Sequence, residues 1–158
     1  MSPILEITAA LQVARPVHEV FESIVDPGIM CNYFISWGSA RMEEGGAVEW
    51  RFPEMDMQFP VRVGTVRRDS YVSFYWDNGD KETLVEISLA PYKEADTVIT
   101  VTEKSMENND AGIKWLKGNT EGWANFLACM KAWLEYGIHL RKGAFDFRFE
   151  KDQQQKKV

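Results

Sequence analysis

Residues 119–137 read Asn119-Thr120-Glu121-Gly122-Trp123-Ala124-Asn125-Phe126-Leu127-Ala128-Cys129-Met130-Lys131-Ala132-Trp133-Leu134-Glu135-Tyr136-Gly137. Trp123, Leu127, Met130, Leu134 and Ile138 recur near the 3.6-residue period, which predicts one apolar helical stripe. Glu121, Lys131 and Glu135 fall on the opposite, wet side. Asn119 or Thr120 can cap the start through a side-chain oxygen, and Gly137 can end the helix in the left-handed conformation. A shorter helical turn, capped within Asn108-Asn109-Asp110, is expected to reach Leu116, with Gly118 breaking it before the main helix begins. A long amphipathic helix at the end of a chain must lie against an apolar surface.

The preceding residues supply that surface. Val48, Trp50 and Phe52 alternate with Glu49 and Arg51, and Val61 and Val63 alternate with Arg62 and Gly64. Val72, Phe74 and Trp76 alternate with Tyr71, Ser73 and Tyr75. Val85, Ile87 and Leu89 alternate with Glu86 and Ser88, and Ile99 and Val101 alternate with Thr100 and Thr102. This period of two predicts strands with one covered face and one wet face. Turn residues at Gly45-Gly46, Arg68-Asp69, Asn78-Gly79-Asp80 and Lys93-Glu94-Ala95-Asp96 separate them. Connections this short favour antiparallel hairpins, because a parallel return needs about a dozen residues. Ile4 to Val13 reads as a first strand. Pro16 then opens a helix carrying Val17, Val20, Phe21, Ile24 and Val25, and a second short helix is expected over 28–34. The fold class is therefore α+β, in the order β-α-α-β6-α, with a curved antiparallel sheet wrapped around the C-terminal helix.

Composition bounds the chemistry. The 158 residues carry 18 Lys+Arg against 24 Asp+Glu, a net charge of −6. That acidic balance excludes nucleic acid as an expected partner, since duplex binding needs a basic face. A hydrophobic share of 45% excludes whole-chain disorder. No apolar run reaches the roughly 18–20 residues that would span a bilayer, so no membrane insertion is expected. Cys31 and Cys129 form no CxxC, and His18 and His139 stand alone, so no metal, cofactor or catalytic residue is assigned. Free thiols and the absence of a leader pattern at the start predict a cytoplasmic protein. Residues 1–142 read as one domain and residues 143–158 as a polar C-terminal tail.

The stretch Ala14-Arg15-Pro16-Val17-His18-Glu19-Val20-Phe21, running to Asp26-Pro27, resembles the opening of the Bet v 1/START-type helix-grip superfamily. Within it the chain is similar to the small proteins related to the C-terminal domain of the activator of Hsp90 ATPase. Pro16, Val20, Phe21, Asp26 and Pro27 carry the opening motif, and Gly45 and Gly46 the turn before a strand. Gly64 and Tyr75-Trp76 carry the strand glycine and the aromatic strand. Gly122, Trp123, Leu127 and Leu134 carry the closing helix. Tyr33 stands where many members have Trp. The resemblance implies a helix-grip fold with a cavity beneath the helix, and members that bind lipids, sterols, polyketides or plant hormones. No N-terminal domain of the kind the eukaryotic co-chaperone uses to engage Hsp90 is expected here.

On this reading an apolar small molecule or lipid-like ligand would lie among Trp50, Phe52, Phe74, Trp76, Trp123, Leu127, Met130 and Leu134. A filled aromatic core is the plainer account of the same residues. A buried indole N–H needs a polar partner, which a ligand or water could supply. Outward Tyr71, Tyr75 and Trp115 offer a basis for a second function, interaction with a chaperone or other protein. A cyclase or dehydratase is the third. It needs paired ionisable groups, and the apolar parity positions contain none: Glu86, Glu103 and Glu107 are expected to turn inward only at a strand bulge.

Overall fold

The structure is a computed structural model that describes residues 3–79 and 81–149. The stretch 150–158, most of the segment set apart as a polar tail, lies outside the described residues. The elements are β1 (Leu5–Val13), α1 (Val17–Val25), α2 (Pro27–Met30), β2 (Trp37–Gly38), β3 (Ala47–Arg51), β4 (Gln58–Arg67), β5 (Tyr71–Asp77), β6 (Glu82–Tyr92), β7 (Asp96–Met106) and α3 (Asp110–Tyr136). Every strand pairing is antiparallel, in the order β1-β7-β6-β5-β4-β3-β2. The α+β order read from the periodicities is present, as is the helix-grip fold that the resemblance implies. Hairpins join β3 through β7 in sequence, and β1 closes the far edge against β7.

The alternation has its expected consequence. Val85, Ile87 and Leu89 on β6 and Ile99 and Val101 on β7 are buried, while Ser88 is exposed and Thr100 half-buried. α3 lies chiefly along β1 and β7, and α1 packs across β5, β6 and β7. Tyr33, in the turn after α2, is fully buried. Its hydroxyl donates to the Ser23 carbonyl at 2.7 Å, and burial pushes its phenol far up from the ordinary range.

Four helical expectations are corrected. α3 runs unbroken through Gly118, whose face is open. A glycine inside a helix costs only about 1 kcal/mol, which the packing of 27 residues exceeds. Its start is Asn109, whose side chain accepts from Gly112 N–H at 2.8 Å, rather than Asn119 or Thr120. Ile138 follows Gly137, which has φ 65°, and that left-handed turn carries Ile138 off the stripe into solvent. Glu135 is not on the wet side. Its side chain is largely covered, accepts from Ala14 N–H at 2.9 Å and pairs with Lys131. Burial alone would raise its pKa, yet the Lys131 and Ala14 bonds hold it below the ordinary carboxylate value.

Gly64 marks an irregularity in β4, where the register with β5 shifts between Val63 and Val66. The Ser73 hydroxyl fills the space a side chain would take, accepting from Thr65 N–H at 2.9 Å. A Cβ on Gly64 would stand 2.6 Å from that oxygen. Gly64→Ala is therefore expected to lose about 1–3 kcal/mol by overpacking. Urea denaturation monitored by tryptophan fluorescence measures this, and an unchanged midpoint would refute the close-approach account.

Candidate functional site

The space between sheet and α3 is occupied by aromatic rings in edge and tilted contact. Trp50 meets Phe74 at 5.3 Å between centroids, Phe74 meets Trp76 at 5.5 Å, and Trp76 meets Trp123 at 5.4 Å. Phe34 and Phe126, which the stripe reading did not select, close the cluster. Phe34 lies 4.7 Å from Phe126 and 5.2 Å from Phe52. Of the residues expected to line a cavity, Trp50, Phe74, Trp123, Leu127 and Met130 are buried in the core, while Phe52, Trp76 and Leu134 are half-buried against it. Leu134 is eleven residues beyond Trp123 on α3, about 16 Å along the axis at 1.5 Å per residue. The rings thus form a packed wall.

A carboxylate sits inside that wall. Glu103 on β7 is fully buried and shares the inward parity of Ile99 and Val101, so it faces the core by the regular alternation of the strand; the register shift in β7 lies beyond it, at Ser105. This corrects the expectation that the apolar parity holds no ionisable group. Trp76 Nε1–H donates to Oε2 at 2.9 Å, and Trp123 Nε1–H donates to Oε1 at 2.8 Å. Thr83 donates to Oε2 at 2.6 Å, and the Asn78 and Asn119 amides donate at 3.3 and 3.0 Å. Both indoles therefore find their polar partner in the protein itself, which removes the need for a ligand or water to satisfy them. An unpaired buried carboxylate is strongly destabilising, while hydrogen bonds to a charged group each contribute about 1.5–3 kcal/mol. Five donors make its burial tolerable. Among the described residues no Lys, Arg or His side chain bonds Glu103, so it has no ionisable partner for acid–base work.

The other carboxylates considered lie elsewhere. Glu86 is on the outer sheet face, bonded to Lys104 at 2.9 Å and to the Tyr71 hydroxyl, and these bonds hold it below the ordinary carboxylate value. Glu107 is exposed beyond the end of β7. Among the described residues no cluster of His, Cys, Asp or Glu is arranged to hold a metal ion. Cys31 and Cys129 are unpaired, and burial pushes both thiols up from their ordinary value.

The packed wall ends at a cleft that Phe52 divides. On one side a gap of about 200 Å³ is lined by Phe52, Phe59, Pro60, Trp76, Asn78 and Asn119, with Asp77 at its edge. On the other a gap of about 180 Å³ runs beneath Phe52 and Phe126 to Cys129 and Arg141. The segment after α3 covers this second gap. Arg141 grips Glu54 through two bonds of 2.8 and 3.2 Å, with both side chains largely buried, and its guanidinium lies 5.2 Å from the Phe145 ring. Residues up to 149 that were grouped with the polar tail thus contribute Phe145 and Phe149 to the lining.

With this geometry in view, sequence comparison gives the kinship. Residues 14–135 match the family described as activator of Hsp90 ATPase homolog 1-like protein. The chain belongs to that family. Its relatives by structure include SSP2350 from Staphylococcus saprophyticus, 30% identical with a TM-score of 0.77, the match covering 87% of this chain and 96% of that one. DynU16, a protein of the dynemicin biosynthetic locus, is 26% identical with a TM-score of 0.75, the match covering 85% of this chain and 49% of DynU16. The Aha1 dimer of Colwellia psychrerythraea shares the fold at 15% identity and a TM-score of 0.72, over 84% of this chain and 98% of that one. No curated protein is significantly similar in sequence. Among the described residues of this Hsp90-activator homologue, no helix is long and apolar enough to cross a membrane.

Two substitutions test the site. Glu103→Ala strips the acceptor from two indoles and two amides, and is expected to cost about 3–5 kcal/mol, as for one half of a buried charged network. Unchanged stability of Glu103→Ala in chemical denaturation would contradict this. Arg141→Ala leaves Glu54 covered and unpaired. Hydrogen exchange in residues 139–149 is then expected to rise while exchange in β6 and β7 stays slow, and unchanged exchange in 139–149 would show that the pair does not hold the segment.

Proposed function

We propose that this protein binds a small amphipathic molecule, without transforming it, in the cleft that Phe52 divides. The observation that carries the reading is the polar floor of that cleft. The aromatic wall does not end in aliphatic packing; it ends at Asn78 and Asn119, which are fixed by Glu103 and stand beside Phe52, Phe59 and Trp76. A concave surface that is mostly apolar with a few fixed polar atoms is the usual make-up of a small-ligand site. Trp50, Phe74, Trp123, Leu127 and Met130 act as the rigid wall behind it, and Phe52 and Trp76 as direct lining. At about 180 and 200 Å³ each half is smaller than the roughly 300 Å³ at which ligand pockets usually begin, so the reading is confined to a very compact molecule. Free Cys31 and Cys129 support a cytoplasmic setting.

A second reading, interaction with a chaperone or another protein, is favoured by the family's description and by one feature of the chain. Tyr136, Ile138 and Leu140 follow one another at the end of α3 with their side chains exposed. Among the described residues no Lys, Arg, His or second carboxyl bonds Glu103, so the cyclase or dehydratase reading gains no support.

Native mass spectrometry of the protein isolated from its own cells tests these readings. A small organic adduct is expected, and protein complexes with no adduct would overturn ligand binding in favour of the partner. Phe52→Ala is further expected to tighten binding of the neutral dye N-phenyl-1-naphthylamine by about tenfold, equivalent to about 1.4 kcal/mol.

A further inference from the structure

We propose that the cleft half beside Trp76 selects a small organic cation, an alkylammonium or protonated amine on a compact apolar body. The inference rests on the ligand-binding reading above and names the chemical class that reading leaves open. It follows from which atoms remain for a guest once the internal hydrogen bonds are assigned.

The donors at this end of the molecule are committed inward. Trp76 gives its N–H to Glu103, so it offers the cleft its ring rather than a donor. An indole that donates to a carboxylate oxygen carries more negative charge on its ring face. Asn119 directs its amide N–H groups to Asn78 Oδ1 at 3.1 Å and Glu103 Oε1 at 3.0 Å. Asn78 directs its own to Thr83 at 2.6 Å and to Glu103. The polar atoms left over are acceptors, namely Asn119 Oδ1 and the Asp77 carboxylate, one oxygen of which accepts from Gly79 N–H at 2.7 Å.

The apolar lining has the matching character. Phe52 and Phe59 meet at 5.6 Å with their planes 61° apart, forming a corner beside the Trp76 ring. Aromatic faces set at angles to one another attract a cation through their quadrupoles. No Lys, Arg or His is among the residues lining this gap. Lys81 lines a neighbouring cleft on the other side of Asn78, and Arg62 is paired with Glu82 at 2.5 Å. The other half of the divided cleft carries Arg141 and Arg148 in its wall, paired with Glu54 and Glu121. An anion in the Trp76 half would meet acceptors and ring faces only. The net charge of −6 adds attraction for a cation at long range.

Two-dimensional NMR with three probes tests the assignment: choline, its neutral isostere 3,3-dimethylbutan-1-ol, and phenylacetate. Choline is expected to move the Trp76 indole and Asn119 amide signals with an affinity about tenfold above that of the neutral isostere. Phenylacetate is expected to leave them in place. Asp77→Asn, at an exposed strand end, is expected to weaken choline several-fold and leave the isostere unchanged. Equal or tighter binding of the isostere or of phenylacetate at these signals would overturn the cation assignment while the cleft reading stands. Silence of all three probes at millimolar concentration would remove both. Choline binding that is insensitive to Asp77→Asn, to Phe59→Ala and to raised salt would also overturn it.

Discussion

A carboxylate held by five neutral donors is the constraint on which the rest of this molecule depends. Glu103 draws hydrogen bonds from β5, the β5–β6 turn, β6 and α3, and so ties the helix to the sheet at a single buried point. Hydrophobic burial alone would let the helix slide or rotate against the strands, because apolar contact is not directional. Both indole N–H groups donate to this one carboxylate, and each bond fixes its own ring. Trp76 and Trp123 then set where Phe74, Trp50 and Phe34 can lie.

That constraint also decides where a guest can go. Members of this superfamily are expected to keep a cavity under the long helix, and here aromatic rings fill that position. The free volume moves to the rim, where two small gaps meet at Phe52, one lined by Glu54 and Arg141 and the other by Asn78 and Asn119. One rim is closed by Arg141 and Glu54 and the segment after α3. The other is floored by the outer members of the Glu103 network. Stability and binding therefore share residues: the amides that satisfy Glu103 are the amides a ligand would meet.

Much of the architecture was legible because it is periodic. Alternation in β6 and β7 and the Trp123-Leu127-Met130 repeat report which face is covered, and burial follows them; in β5 Ser73, on the opposite parity, is buried as well. The reading failed where a polar residue occupies a covered position. The β7 pattern of Ile99 and Val101 continues to Glu103 two residues later, yet a charge there reads as the end of the apolar face. Its partners come from positions 76, 78, 83, 119 and 123, which no local pattern joins. Glu135 was misplaced for the same reason, since its cover comes from Lys131 and the chain at Ala14. Gly118 carries a strong local signal for breaking a helix, and tertiary packing overrides it. Phe34 and Phe126 escaped because one lies in a turn and the other at the margin of the stripe. Asn119 was taken for a cap, although one helical turn separates it from Trp123 on the same face.

The central claim, that Glu103 holds both indoles inside the core, is tested most directly by hydrogen exchange at the Trp76 and Trp123 indole N–H groups, followed by NMR under native conditions. The account predicts that both protons exchange only through large-scale opening, with protection comparable to backbone amides of β6 and β7. Exchange of either proton at the rate of a solvent-exposed indole would contradict it.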